Sequence, residues 1–439
     1  MKTKSFFVAV LAGMLAVNAF AQDSKPQLKW YGFIRNFYAL DTRESVAGTE
    51  DFFYYVPKDV NLNSEGDDLN ANTNFKFAAL TSRLGVDVVG YEFNGWKMGA
   101  KIEADFYNGL SATGNDPYTK SSLTGTAVFR LRQAFATVSN DKWTFKAGQA
   151  WHPMAADMPD VFSLNTGSPF GPFSRTPLVS AEYNVASGIS VTLASIWQQQ
   201  YTSAGPYGSS ANYIRNGGSE WYLGVNCKAD DLLVRLGANA LWITPRVADA
   251  AGLKVDESLC EMTAFLYAQY KAGNFTAKLK SVLAQGGEQI NLNGGYGICG
   301  VKDDGRSLEY APTLNSSTWV SLQYRMDAWQ YILFGGYVQN LGTSKALTQS
   351  VASLLPGVPA APAGMYFYKN SFDNMNAMWR LTPTVIRNFG KLALGIEYEM
   401  TGVAYGDKSK GMNLDKGLYD QGVHNVTNHR IQGLVKFTF

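Results

Sequence analysis

The feature that most constrains this chain is a series of short segments in which apolar and polar residues alternate. Sixteen segments of about ten residues each alternate with a period of two residues. The clearest is 96–107, where Trp96 and Ile102 share one face while Lys101 and Glu103 lie on the other. A strand of this kind does not fit between two dry layers, because one of its faces needs water.

The connections between these segments alternate strictly between long and short. Seven are turns of a few residues, and the other eight are long, at 41–74, 109–125, 151–177, 202–218, 245–258, 286–317, 342–371 and 405–425. This alternation is typical of an antiparallel membrane barrel with tight periplasmic turns and long outer loops. The first and last strands must then pair, since lipid does not tolerate a free sheet edge. We therefore predict an all-β fold, a transmembrane 16-stranded antiparallel β-barrel. A soluble β-sandwich fits the composition but gives no reason for the alternation.

The N-terminus has the features of a secretory signal. Lys2 and Lys4 precede an apolar run, and Ala19-Phe20-Ala21 forms a small-residue cleavage site. No later run of about 18 apolar residues suggests a transmembrane helix. We predict a cleaved signal peptide at 1–21 and one barrel domain at 22–439, located in a bacterial outer membrane.

Charge and cysteine content exclude several functions. Without Lys2 and Lys4, 36 of the 38 basic residues remain against 36 acidic residues, a balance that argues against a nucleic-acid binder. The three cysteines fit no metal-binding spacing and are most simply small apolar or loop residues. If one pair bridges, the predicted topology puts Cys260 and Cys299 on the same side. No cofactor and no metal site are predicted.

Aromatic residues concentrate near segment ends, which predicts girdles at the two membrane interfaces. The residues assigned to these girdles are Trp30, Trp96, Trp143, Trp151, Trp197, Trp221, Trp242, Trp319, Trp329 and Tyr398. Gln133 breaks the pattern of its own segment, because this polar residue lies on the face that is otherwise apolar. It either faces a neighbouring subunit or marks a β-bulge.

The third long connection is rich in proline and glycine. A loop of this length in a compact fold is usually functional or disordered. In a barrel with water inside, this extracellular loop would fold into the lumen and narrow it, so we predict a constriction loop at 152–176. It carries Asp157, Asp160 and Arg175.

If the polar face of every strand points inward, fifteen basic and eight acidic side chains lie in the lumen. A basic, narrow pore concentrates anions, so a mild anion preference is predicted. The residues assigned to the constriction and lumen are Arg83, Lys101, Glu103, Arg130, Arg132, Asp157, Asp160 and Arg175. The two loop aspartates are expected to face wall arginines (Arg83, Arg130 and Arg132), creating a transverse field that favours zwitterionic or polar solutes.

Short stretches of the sequence resemble a known family. The terminal run 434–439, ending in Phe439, and the long third loop resemble the trimeric outer-membrane porins of Gram-negative bacteria. The runs 130–135 (RLRQAF) and 146–151 (KAGQAW) are similar to DcaP-like porins, although the N-terminal coiled-coil segment of some members is lacking. The resemblance implies a homotrimer of water-filled barrels, with the third loop folded inside each barrel. It also implies that the barrel-assembly machinery recognises Phe439.

The predicted function is passive diffusion of small hydrophilic solutes and ions through a lipid bilayer. An enzyme is disfavoured, since the three histidines (His152, His424 and His429) accompany no GxSxG or HExxH motif. A surface adhesin or receptor that uses its outer loops is the other alternative. A TonB-dependent receptor is disfavoured, because no plug-sized segment precedes the first strand.

Overall fold

The computed structural model describes residues 26–46, 56–79, 81–107, 128–198, 206, 217–348, 365–367 and 373–439. The predicted signal peptide at 1–21 lies outside the described residues. No helix among the described residues is long and apolar enough to cross a membrane.

Sixteen long strands form a single antiparallel barrel. They are β1 Gln27–Asp41, β2 Asn74–Ala78 continued by Arg83–Phe93, β3 Trp96–Tyr107, β4 Val128–Ser139, β5 Trp143–Trp151, β6 Arg175–Ala186, β7 Ile189–Ile196, β8 Glu220–Ala229, β9 Leu232–Ile243, β10 Leu259–Ala272, β11 Phe275–Gln285, β12 Leu308–Met326, β13 Trp329–Thr343, β14 Met375–Phe389, β15 Leu392–Tyr405 and β16 His424–Thr438. Each pairs with its sequence neighbours, and β1 also pairs with β16, with Arg35 opposite Lys436. The barrel is therefore closed, and the predicted fold class is confirmed.

Shorter elements belong to the long connections. Ser45–Val46 pairs with Val56–Pro57, and Gly295–Val301 pairs with β12 and with Met365–Phe367. Single 3-10 turns cover Pro153–Ala155, Glu288–Ile290 and Lys408–Lys410.

Alternate residues of each strand face opposite sides of the barrel wall. On β1, Ile34 is 56% exposed on the outside while Phe37 is fully buried inside. The outward positions of the other strands are also mostly large and apolar. An apolar exterior of this extent is unfavourable in water and suited to lipid.

The short turns reverse the chain through left-handed residues. Asn94-Gly95 between β2 and β3 has φ values of 49° and 77°. A two-residue hairpin with both residues at positive φ matches the twist of its strands, and glycine reaches this conformation without strain. The predicted alternation of short and long connections is present throughout the barrel.

Trp319 is not a girdle residue, contrary to the prediction. Trp319 is only 1% exposed and lies inside the barrel, 6.4 Å from Phe334 between ring centroids. The prediction began this strand near residue 318, whereas β12 begins at Leu308, where its outer part pairs with Gly295–Val301. Trp319 is therefore in the middle of a strand rather than at its end. By contrast, Trp30, Trp143, Trp197, Trp221 and Trp242 are exposed on the outside.

Gln133 marks a bulge, as one of the two alternatives predicted. Pairing of β3 with β4 shifts at this point, with Glu103 opposite Gln133 but Ala104 opposite Leu131. The extra residue reverses the parity of the rest of β4. Phe135, expected on the outer face, consequently packs inside, 5.2 Å from the ammonium group of Lys146.

Candidate functional site

The connection between β5 and β6 folds into the barrel and crosses it. Met154 and Phe170 of this constriction loop, His152–Ser174, are fully buried. Its Phe162 and Leu164 join a buried cluster with Phe37 of β1 and Leu434 of β16. The prediction that the third long loop enters the lumen is confirmed.

Two carboxylates on β15 hold the middle of the loop through polar contacts. Glu397 accepts hydrogen bonds from the backbone N–H groups of Phe162 and Ser163, each at 3.2 Å. Glu399 accepts one from the side-chain amide of Asn165 at 2.8 Å. Backbone groups of a loop inside a barrel need such partners, because an unsatisfied buried N–H is costly. These wall residues fix the path of the loop.

Basic residues of β9 and β11 hold the first part of the loop. Lys280 is 1% exposed and donates to the carbonyl oxygen of Asp157 at 2.6 Å. Arg235 forms an ion pair with the Asp157 carboxylate at 2.9 Å, and Lys278 forms one with Asp160 at 2.7 Å. The two loop acids are thus tied to the wall rather than left facing open water.

Those ion pairs correct the predicted partners of Asp157 and Asp160. The sequence suggested three wall arginines, Arg83, Arg130 and Arg132, whereas the contacts are made by Arg235 and Lys278. The predicted arginines contact acids of β3 instead, because cross-strand neighbours are closer than groups across the lumen. The alternation of residues along a strand identifies which side chains point inward, but it does not show where a long loop will contact the barrel wall.

The arginines of β2 and β4 surround two carboxylates of β3. Arg132 contacts Glu103 at 2.8 Å and Asp105 at 2.7 Å. Arg130 contacts Asp105 at 3.0 Å, and Arg83 lies 3.6 Å from Glu103. The side chains of Arg83 and Arg130 remain 21% and 30% exposed, so this cluster is open to solvent in the lumen.

Two more basic residues extend this cluster onto β1 and β16. Arg35 and Lys436 are cross-strand partners, and each lies over the ring of Phe33, at 5.0 and 4.5 Å from its centroid. Arg83 lies over the same ring at 5.1 Å. We call Arg35, Arg83, Arg130, Arg132 and Lys436 the cationic wall. Within the described ranges, the ion pairs of this wall involve two carboxylates, Glu103 and Asp105.

Sequence reasoning missed Arg35 as a site residue. It lies at the same parity as Tyr31, whose hydroxyl donates to Glu103 at 3.1 Å. The signal is present in β1, where Tyr31, Phe33 and Arg35 alternate with residues of the outer face.

The remaining predicted site residues have structural partners close by. Lys101 contacts Asp87 at 2.8 Å. Arg175, 3% exposed, lies over the rings of Trp151 at 4.8 Å and Phe173 at 5.4 Å. It therefore stands where the loop rejoins the wall. Their predicted roles in permeation remain predictions.

A cavity of about 730 Å³ lies in the lumen beside the start of the loop. Lys146, Glu182 and Arg235 line it, and it reaches the short turn at Gly188. Its lining mixes charged, amide and hydroxyl groups. A space of this composition is suited to water and hydrophilic solutes.

Cys227, Cys260 and Cys299 are free thiols. Within the described ranges, no three His, Cys, Asp or Glu side chains are grouped as metal ligands.

The close packing of the loop on β12 leads to a testable prediction. A Cβ atom on Gly171 would lie 2.5 Å from Nε1 of Trp319, so Gly171→Val forces the loop away from the wall. We expect a loss of about 1–3 kcal/mol in unfolding free energy, the usual cost of overpacking, and a changed single-channel conductance. Gly335→Val is the matched control, since a Cβ there meets nothing within 4 Å. Equal stability and conductance of both variants would contradict this packing.

The comparisons with known proteins concern the fold. No protein-family model matches the chain, and a search of curated proteins finds no match. The crystal structure of the outer membrane channel DcaP of Acinetobacter baumannii is similar over 96% of this chain and 100% of that chain, with a TM-score of 0.63 and 16% identity. OmpT of Vibrio cholerae, an outer membrane protein folded in vitro, is similar over 96% of this chain and 100% of that chain. Its TM-score is 0.52 and its sequence identity is 11%.

The outer-membrane-expressed form of the same Vibrio cholerae protein gives a similar result. It covers 95% of this chain and 100% of that chain, with a TM-score of 0.50 and 12% identity. Identities this low establish a shared architecture and not a shared activity. The resemblance to DcaP-like porins is confirmed at the level of fold, and the chain has the closed 16-stranded barrel of the outer-membrane channels.

Proposed function

We propose that this protein is an outer-membrane diffusion channel for small hydrophilic solutes and ions, with a mild preference for anions. The observation that carries the proposal is the constriction loop, which crosses the lumen while the cationic wall stays partly exposed. The similar solved structures are outer membrane proteins by name, which supports the same location for this chain.

The anion preference follows from the charges that line the pore. Among the residues that the structure describes, the five cations of this wall and the two carboxylates paired with them leave an excess of positive charge on β16 and β1–β4. Low-dielectric walls focus the field of such charges into the water between them. Anions are therefore concentrated there and cations repelled. Asp157 and Asp160 offset little of this excess, because Arg235 and Lys278 already pair with them.

Assembly and export are part of the same proposal. A cleaved signal at 1–21 would deliver the chain to the periplasm, and Phe439 would present the terminal aromatic to the barrel-assembly machinery. A homotrimer is proposed from the family resemblance. Chemical cross-linking of the purified protein tests the trimer.

Catalysis is disfavoured by the surroundings of His152. Its ring is fully buried, its Nδ1 accepts from the backbone N–H of Met154, and its Nε2 lies 3.1 Å from Glu220. Both nitrogens are therefore used in holding the start of the constriction loop. A general base needs access to substrate, which this arrangement does not give.

Single-channel recording tests the proposal. Purified protein in a planar bilayer should show stepwise conductance, in groups of three for a trimer. A reversal potential across a KCl gradient should favour chloride. Correctly folded protein that does not conduct would contradict the diffusion function and move the adhesin and enzyme hypotheses forward.

A further inference from the structure

The connection between β1 and β2 packs against the inner wall at the outer mouth of the barrel. Its segments Ser45–Val46 and Val56–Pro57 pair with each other. Val56 is fully buried and belongs to the same apolar cluster as Tyr405 of β15 and Val426 of β16. The Tyr405 hydroxyl also donates to the carbonyl oxygen of Pro57 at 2.6 Å. This part of the connection therefore lies over the mouth beside β15 and β16.

Two side chains of the barrel rim hold Asp59, which follows this segment. Asp59 Oδ1 lies 2.6 Å from Nε2 of His424, the first residue of β16. Asp59 Oδ2 accepts from the side-chain amide of Asn374 at 2.9 Å, and the same amide donates to the carbonyl oxygen of Gly406 at 2.9 Å. We call Asp59, His424 and Asn374 the clasp. It joins the β1–β2 connection to the outer ends of β14–β16.

His424 lies between two hydrogen-bond acceptors. Its Nε2 faces the Asp59 carboxylate, and its Nδ1 lies 3.3 Å from the carbonyl oxygen of Gly422. A neutral imidazole has one N–H group and donates to only one of these oxygens, whereas an imidazolium donates to both. The short contact with Asp59 is also typical of a charge-assisted hydrogen bond. The geometry of the clasp therefore fits a protonated ring.

The charges around the ring favour the same state. Asp407, which follows β15, is a second carboxylate beside His424: it packs on Gly422, where an added Cβ atom would lie 2.8 Å from the Asp407 Cβ. Lys410 acts on Asp407 in turn. The other charged groups near the clasp form ion pairs with each other, namely Arg43 with Asp68, Lys58 with Glu44, and Lys408 with Asp373.

We propose that His424 and Asp59 form a proton-controlled contact that holds the β1–β2 connection over the outer mouth while His424 is protonated and loosens when the ring loses its proton. The Asn374 contact involves no proton change, so deprotonation weakens the clasp without abolishing it. A loosened connection changes access to the lumen. That consequence for transport rests on the channel function proposed above, whereas the contact itself does not.

The direction of the pH dependence follows from the pKa of His424. This residue lies at the outer rim, above the apolar band that begins at Ile431 on the outward side of β16. Burial lowers the pKa of His424, but the hydrogen bonds to Asp59 and Gly422 raise it by more, so the pKa exceeds the usual histidine value. The added stability is therefore complete below about pH 6.5 and is lost as the pH rises through the raised pKa. The clasp is strongest in mild acid and weakest in alkaline solution.

Hydrogen exchange of the backbone amides of 56–70, followed by mass spectrometry on the purified barrel in detergent, tests the clasp. Wild-type protein and His424→Gln are compared at the same pH, so the intrinsic pH dependence of exchange cancels. At about pH 6 the variant should exchange this segment about two- to fivefold faster, as expected for loss of a partly exposed ion pair. At about pH 9 the two proteins should exchange at the same rate.

His429→Gln is the matched control. This second histidine of β16 lies on the outer face, where its Nδ1 is 2.7 Å from the Tyr398 hydroxyl. Its exchange should equal that of the wild type at both pH values. Equal exchange of wild type and His424→Gln at about pH 6, or the same acceleration at about pH 9, overturns the proposal.

A double-mutant cycle with Asp59→Asn assigns the effect to the pair. At about pH 6 this variant should also accelerate exchange, and adding His424→Gln should change the rate little further. Two effects that multiply would show that His424 acts through another group and would overturn the proposal. Neither readout depends on transport. Failure here leaves the channel function untouched, and folded protein that does not conduct leaves the exchange result standing.

Discussion

Replacing Arg35 and Lys436 together by glutamine is expected to remove most of the anion preference. The two residues are cross-strand partners in the cationic wall, so the change leaves three cations against two carboxylates. A unit charge about 6 Å from a permeating ion contributes about 0.7 kcal/mol through water, or about threefold in ion partitioning. Chloride partitioning should therefore fall by up to about tenfold, and the chloride-to-potassium permeability ratio should fall further, because potassium partitioning rises at the same time.

Reversal potentials across a KCl gradient measure this ratio. The matched control is the double variant Lys97→Gln with Lys271→Gln, which removes the same charge from exposed positions near the short turns. Its ratio should stay close to that of the wild type. An unchanged ratio in the Arg35 and Lys436 variant, or the same change in the control, would contradict the role assigned to the cationic wall.

Glu397→Ala is expected to release the middle of the constriction loop. The substitution leaves the backbone N–H groups of Phe162 and Ser163 and the hydroxyl of Thr384 without their acceptor. Each buried donor left unsatisfied costs about 1–3 kcal/mol, so the loop should detach from β15 for part of the time. Single-channel records should then show frequent transitions between conductance levels.

Thermal unfolding, followed as heat-modifiable migration on gels, measures the accompanying loss of stability. Glu65→Ala provides the control, because Glu65 is an exposed carboxylate in the first long connection. Steady wild-type-like currents from folded Glu397→Ala would show that other contacts suffice to hold the loop. That result would remove Glu397 from the set of positioning residues.

Most of the architecture was predictable because two local patterns reinforce each other. Alternation within segments such as 96–107 fixes which residues share a face, and the lengths of the connections fix strand order. Neither pattern depends on distant contacts. Closure then follows, since a barrel in lipid leaves no free edge.

The errors arise where a local pattern is broken or where distant parts meet. The bulge at Gln133 reverses parity along β4, so Phe135 turns inward although its spacing from Phe129 and Leu131 suggests the outside. The strand end assumed near Trp319 was wrong because β12 continues outward to pair with a short strand of the preceding connection. No local pattern reports either event.

The candidate site shows the same division. The inward direction of the β2 and β4 arginines follows from alternation, and their neighbours on β3 follow from strand order. The contacts of Asp157 with Arg235 and of Asp160 with Lys278 depend on the path of a long loop. That path is set by polar anchors on β9, β11 and β15, which no sequence spacing encodes.

The unequal lengths of the strands give the barrel an uneven rim. β12 has 19 residues and β7 has 8, which correspond to about 60 Å and about 26 Å of extended chain. Because barrel strands are tilted by about 35–45°, crossing an apolar band about 25 Å tall takes about 33 Å of strand, which is more than the whole of the shorter strand and about half of the longer one. Within the described residues, the sheet therefore extends further on the β12 side of the barrel than on the β7 side. A bulky particle arriving from outside, such as a phage tail or an antibody, would therefore meet the outer extension of strand β12 first.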